Sequence, residues 1–317
     1  MKHLLNDASL LANLAGRTAE INIQVMEEPL VGITYPDIVP VNTSYQDWQL
    51  EAGSGIWRTS GEADWLTGKS DDVPKVGLDA DTKFYGFSAY GVGYDWDYEE
   101  IGKAAAYGVG TLTTMKAGAA RRKSEEFAQK IAIIGDDRKG YNGIINQAGV
   151  TPINAATQWR SATALTATLE QILMDIAVLI DGPITNVIDP LFVRADTLAV
   201  DQLTYRLLQS TYASSISTGA NLGLRMASDV IRERYGIEIV VIPELATAAA
   251  TPAGGARAIG YARRQDVIEL PVAFAYRFEQ GYQAGPFKFN VPGWGRMGGV
   301  QLHNAGGLRY LDNVGPA

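Results

Sequence analysis

The sequence predicts an α+β fold, with one long helix and one compact run of alternating helices and strands, framed by extended segments that have no core of their own. Three observations carry this. Residues 111–134 repeat apolar side chains at helical steps, residues 163–245 alternate between helical and strand patterns, and residues 84–95 read as a long strand while those after 256 read as short strands broken by Gly and Pro.

Residues 1–48 form an arm. A short amphipathic helix is followed by EINIQVMEEPLVGITYPDIVPV, where Pro29, Pro36 and Pro40 remove ladder donors and disfavour helix before them. Residues 49–83 are rich in Gly, Ser and Asp, with strand-like pieces at GIWRT and PKVGL, and read as a long two-stranded protruding loop. Trp57 and Trp65 stand in it, either filling a local cluster or packing on a neighbouring subunit. FYGFSAYGVGYD reads as one long strand, after which Asp97, Tyr98, Glu99 and Glu100 open a short helix that closes near Gly108.

The long helix then aligns Leu112, Met115, Ala119, Phe127, Ile131 and Ile134 on one face, with Arg121, Arg122, Lys123, Glu125 and Glu126 elsewhere. It ends at GDDRKGYNG. The glycines there do not fit a phosphate loop, because Tyr141 and Asn142 stand where Lys and Ser or Thr are required, so a chain-reversing turn is expected. The second region runs helix ATALTATLEQILMDIAVLIDG, strand NVIDPLFV, helix ADTLAVDQLTYRLLQS, helix LGLRMASDVIRERYG and strand IEIVVIPEL. A low-complexity loop, TAAATPAGGA, is expected to be mobile at the surface. Closing strands follow, for which the strand at residues 84–95 is the expected partner.

Composition narrows function. The 317 residues contain no cysteine and two histidines, His3 and His303, so thiol chemistry is excluded and imidazole-based sites are disfavoured. A net charge of −8 argues against tight nonspecific nucleic-acid binding. No secretion signal or apolar stretch long enough to span a bilayer is read. No cofactor and no metal site is expected.

In order, these parts are an extended arm, a long loop, a strand, a spine helix, an inserted α/β region and closing strands. That order resembles the major capsid proteins of tailed phages with the Hong Kong 97 type fold. Two segments carry the likeness locally: the end of the long helix with its turn, where Gly140, Gly143, Ile144 and Asn146 are similar to a G-x-x-G-(I/L)-x-N pattern, and Arg296, Gly298, Gly299 and Val300, which resemble a closing R-x-GG-V strand. The resemblance implies an N-arm at 1–48, an E-loop at 49–83, a peripheral domain with the spine helix at 84–160, an axial domain at 161–265, return strands at 266–300 and a C-terminal strand at 301–317.

It also implies a self-assembling subunit, not an enzyme, that builds hexamers and pentamers of an icosahedral shell around a double-stranded DNA phage genome, without sequence-specific binding and without a membrane. Separate scaffolding, portal and decoration proteins are the implied partners, assembly occurs in the bacterial cytoplasm, and the final location is the virion. Since the chain opens almost directly on the arm, either scaffolding is a separate protein or the N-terminus is already mature. Trp57, Arg58, Trp65, Lys69, Arg121, Arg122 and Lys123 are the expected interface residues, and residues 247–255 are expected near the capsomer axis. Lys69 and Lys75 lie in the loop, but no Asn or Glu partner is identified for a cross-link. The alternatives are an encapsulin-like compartment, an enzyme using Asp189, Asp196 or Asp229, and a monomeric binding module.

Overall fold

The computed structural model describes residues 32–65, 73, 75–100, 102, 112–182, 192–216, 225–251 and 253–316, with backbone alone at 54, 56–59, 79–83, 112–114 and 214–215. Met1–Ile33 form a unit of their own that lies almost wholly outside the described residues, and Thr34–Ala317 form the other.

The second unit opens with helix α1 (Tyr35–Ile38), β1 (Val41–Asn42), the paired β2 (Glu51–Ser60) and β3 (Gly77–Gly86), then β4 (Ser88–Gly91) and β5 (Tyr94–Asp97). The long helix α2 (Leu112–Ile133) leads into β6 (Gly135–Asp136), β7 (Tyr141–Asn142) and β8 (Ile153–Asn154). Next come α3 (Leu169–Asp181), β9 (Thr197–Val200), α4 (Gln202–Ser210), α5 (Ala213–Ile216), α6 (Ala227–Tyr235) and β10 (Glu238–Val241). The chain closes with β11 (Ala256–Tyr261), β12 (Ile268–Phe278), β13 (Tyr282–Gln283), β14 (Lys288–Val291), β15 (Gly293–Met297), β16 (Gln301–Leu302) and β17 (Leu308–Gly315).

One sheet, in the order β10-β9-β11-β17-β8, separates two cores. Successive strand residues point to opposite faces. Leu198, Val200, Ala258 and Leu311 therefore pack with Ile172, Ile176 and Leu179 of α3, while Ala199, Ile259, Tyr261 and Tyr310 pack with Ile38, Ile133, Ile144 and Leu270. All four residues of β9 and all six of β11 are buried, as befits strands covered on both sides. Helices on the first face are fixed at their starts. Thr168 and Gln171 form a capping box on α3, and the Asp201 carboxylate accepts from the Leu203 and Thr204 amides of α4.

The second sheet runs β1-β12-β15-β4, with β16 also on β12. Here the described end of the arm is laid down: Val41 and Asn42 pair in parallel with Leu270 and Pro271, and the Tyr261 hydroxyl donates to the Ile38 carbonyl at 2.9 Å. β15 pairs with β4 and β14 with β5, the pairing anticipated for residues 84–95.

Several expectations are corrected. Residues 84–95 are not one strand: the chain leaves the β2–β3 ribbon at Gly86 and then splits into β4 and β5, with Asp97 closing β5 and helical residues starting at Tyr98. The rest of that short helix, like most of the strand NVIDPLFV, lies outside the described residues, and the described Phe192 and Val193 are not strand. Thr197–Val200, expected within a helix, is a buried strand, and the helix waits for its cap at Asp201. Burial on both faces removes the alternation that would have marked the strand.

The inner face of α2 also differs. Ala120, Ser124, Ala128 and Ile131 are buried, with Ala128 and Ile131 against Met297, whereas Met115, Phe127 and Ile134 are exposed. Small residues let the helix lie close to its neighbours, so the bulkiest apolar positions do not mark the contact face. Nor is the low-complexity loop free: the Ala249 amide donates to the Gly255 carbonyl, and the Ala250 amide to Asp312 Oδ2 at 2.8 Å.

Candidate assembly surface

β2 and β3 pair without interruption over ten residues, from Glu51 opposite Gly86 to Ser60 opposite Gly77. Neither strand contains Pro, so the ladder runs unbroken. The ribbon is tied to the body at its root. There the Phe87 amide donates to the Leu50 carbonyl at 2.7 Å, the Tyr141 hydroxyl donates to the Gly86 carbonyl at 2.9 Å, and Ala52 and Phe87 are buried. Arg296 completes the root by donating to the carbonyls of Asp47 and Gln49 at 3.1 and 3.3 Å.

Apolar side chains described along the ribbon and its loop are exposed. Phe84 is 70% exposed, Leu78 59% and Trp65 96%. A two-stranded ribbon is marginal in water, and an elongated run of uncovered apolar side chains marks a contact surface. Between the ribbon root and the turn after α2 lies a cleft of about 630 Å³, lined by Leu50, Phe84, Lys139, Tyr141 and Val300 among others.

The turn itself is set by close backbone approach. Gly135 has φ +87°, and a Cβ on Gly143 would stand 2.1 Å from the Ile133 carbonyl oxygen. Asn146 Oδ1 accepts from the Gly143 amide at 2.7 Å, which locks the reversal. No phosphate-binding role is needed to account for these glycines.

Of the expected interface residues, Trp65 is wholly exposed near the ribbon end. Trp57 and Arg58 stand in β2 opposite Ala80 and Asp79, with their side chains outside the described residues, as is all of Lys69. Arg121, Arg122 and Lys123 are exposed on α2, and Lys123 pairs with Glu126 at 2.7 Å. The structure therefore gives two separate surfaces, ribbon and helix face.

Two of the three aspartates of the enzyme reading have ordinary places in the fold. Asp196 accepts from Thr197 Oγ1 and the Arg263 amide, Asp229 lies in the first turn of α6, and Asp189 is outside the described residues. Among the described residues no three His, Asp or Glu side chains gather as metal ligands, and no helix is long and apolar enough to cross a membrane.

One polar cluster was not foreseen. Glu269, 3% exposed at the start of β12, accepts from Asn42 Nδ2 and the Tyr45 hydroxyl at 2.7 Å each and lies 3.1 Å from His303 Nε2. Burial pushes its carboxyl up, but the bonds from His303, Tyr45 and Asn42 outweigh that and hold it below the usual carboxylate range. Burial together with the Glu269 carboxylate pushes the Tyr45 phenol well above its ordinary value. The signal in the sequence was a single Glu inside the apolar run of DVIELPVAF.

Solved structures share this architecture. The capsid of Myoviridae Phage XM1 is 14% identical, with a TM-score of 0.73 over 90% of this chain and 94% of that one. The capsid of an empty GTA particle is 9% identical, at 0.61 over 90% and 92%, and a chain of Gordonia phage Cozz is 12% identical, at 0.57 over 92% and 89%. The fold is thus the Hong Kong 97 type of tailed-phage capsids. No curated protein sequence matches. The family model described as Major capsid protein, however, matches residues 61–314. With well over half of its length matched, the chain belongs to the major capsid protein family and is a structural protein of the phage virion.

Proposed function

We propose that the subunit assembles through the β2–β3 ribbon and the exposed face of α2 into hexamers and pentamers of an icosahedral shell, enclosing a double-stranded DNA genome without reading its sequence. The observation that carries this is the ribbon: ten residue pairs long, rooted at one end, with Leu78, Phe84 and Trp65 uncovered. Such a surface is satisfied by a second copy. Trp57, Arg58, Trp65 and Lys69 on the loop, and Arg121, Arg122 and Lys123 on the helix, are the residues assigned to these contacts. A net charge of −8 suits a container, because a wall that gripped phosphates would hinder movement of the genome inside it. The role is structural, with no catalysis. Assembly takes place in the bacterial cytoplasm with separate scaffolding and portal proteins, and decoration proteins bind the finished shell.

The test is expression of the whole chain followed by size exclusion and negative-stain microscopy at several salt concentrations, beside a chain lacking residues 53–76. Shells, sheets or hexameric rings from the whole chain, and a soluble subunit from the deletion, are expected. Normal shells from the deletion would overturn the role given to the ribbon, and a monomer under every condition would overturn assembly by this chain alone.

A further inference from the structure

We infer that Glu269 is the positioning residue of the assembly ribbon, a single buried carboxylate that holds the end of the arm and the root of the ribbon in one orientation. This rests on the assembly role proposed for the ribbon and says how that surface is kept ready.

A buried carboxylate is costly unless fully hydrogen-bonded, so its partners are held firmly. Glu269 takes them from separate segments: Asn42 and Tyr45 from the arm, and His303 from the loop after β16. Two paths then lead to the ribbon. The Tyr45 ring meets Phe87 edge-on at 5.1 Å, and the Phe87 amide closes the ladder onto Leu50; the His303 ring meets Tyr85 of β3 edge-on at 6.3 Å. The groups facing the carboxylate are thus Asn42 and Tyr45 from the arm, Tyr85 from the ribbon, His303 from the loop, and Gln301, which pairs with Glu269 across β16. None of these except His303 can carry positive charge. Protonating or deleting the carboxylate therefore releases the arm and the ribbon root together, while α3, β9 and the first core, which do not touch it, keep their packing.

The experiment compares the full-length chain with E269Q and Y45F, using hydrogen exchange read by mass spectrometry from pH 7 to pH 3 together with shell yield in negative stain. E269Q is expected to speed exchange at residues 42–50 and 84–87 about tenfold, the effect of losing a hydrogen bond to a charged acceptor. Exchange in α3 and β9 should stay as in the wild type, and shell yield should fall. Corrected for the intrinsic rate at each pH, wild-type protection at the same segments should fall as the carboxylate is protonated in acid, and that of E269Q should stay level. Unchanged protection at both segments in E269Q, or loss spread evenly over the whole chain, overturns the proposal. Should E269Q fail to fold, Y45F carries the test: faster exchange at residues 42–50 and 87 supports it, and wild-type exchange overturns it. Because exchange at residues 84–87 is read on the unassembled subunit, this outcome stands apart from whether the ribbon mediates assembly.

Discussion

The Val300 amide donates to the Asn142 carbonyl at 3.0 Å, so the turn after the long helix and the closing Arg-x-Gly-Gly-Val segment, which is not one strand but links β15 to β16, are two sides of one joint. Gln147 Nε2 ties the joint further by donating to the carbonyls of Gly143 and Val300 at 2.8 and 3.0 Å. Arg296, from the same segment, holds the root of the ribbon at Asp47 and Gln49. Two short patterns without obvious chemistry thus act together mechanically, seating the ribbon on the body of the subunit.

That joint has no spare room. A Cβ on Gly299 would stand 2.7 Å from Tyr141 Cβ. Gly299→Ala should destabilise the subunit by ~1–3 kcal/mol, as overpacking does, and lower its denaturant midpoint. Gly118→Ala is the contrast, because its Cβ would meet nothing within 4 Å on an exposed turn of α2. There the change should stabilise by about 0.5–1 kcal/mol through helix propensity. Equal shifts for the two variants would contradict the packing assigned to the joint.

How much of this was legible depends on what each segment packs against. The ribbon and α2 were readable because each is long and locally marked, by strand-like pieces in a Gly-, Ser- and Asp-rich stretch in one case and by helical spacing in the other. β9 was not, since a strand buried on both faces shows no alternation, and Ala195 to Val200 consists of residues a helix also accepts. The inner face of α2 was read only in part: Ile131 lies on it as expected, but Ala120, Ser124 and Ala128 make the rest of the contact while Met115 and Phe127 are exposed. Glu269 escaped because its donors come from residues 42, 45 and 303, a closeness that only the fold creates.

The exposed ribbon residues should matter to assembly and little to the fold. Leu78, Phe84 and Trp65 make no core, so Leu78→Ser, Phe84→Ser and Trp65→Ala should each change subunit stability by no more than about 0.5 kcal/mol. Their combination should abolish shells in negative stain while the subunit elutes as a soluble species. A large fall in thermal midpoint would show that these side chains are needed inside the subunit.

A different outcome is expected at Asp201, which is wholly buried, caps α4 and pairs with Arg160 Nη2 at 3.0 Å. Asp201→Ala removes the cap and strands the guanidinium of Arg160 without its counter-charge. Loss of one partner from a buried pair costs about 3–5 kcal/mol, a large share of a domain's stability. Equilibrium unfolding in urea would measure it, and a shift below about 1 kcal/mol would mean the pair contributes little.

The acid behaviour of the subunit should trace to Glu269. Burial pushes its carboxyl up in the folded chain, yet the bonds from His303, Tyr45 and Asn42 outweigh that push and leave it below the ordinary range. In the unfolded chain a Glu titrates near about 4.3, so between the two values the unfolded state binds the extra proton. Stability from this group is therefore complete above the unfolded value and is lost as pH falls through the folded one. Urea unfolding of wild type and E269Q between pH 7 and pH 3 should show the wild type more stable at neutral pH and the difference shrinking with acid. A difference that stayed constant, or grew, across that window would mean that the carboxylate is not what the arm and the ribbon root are tied to.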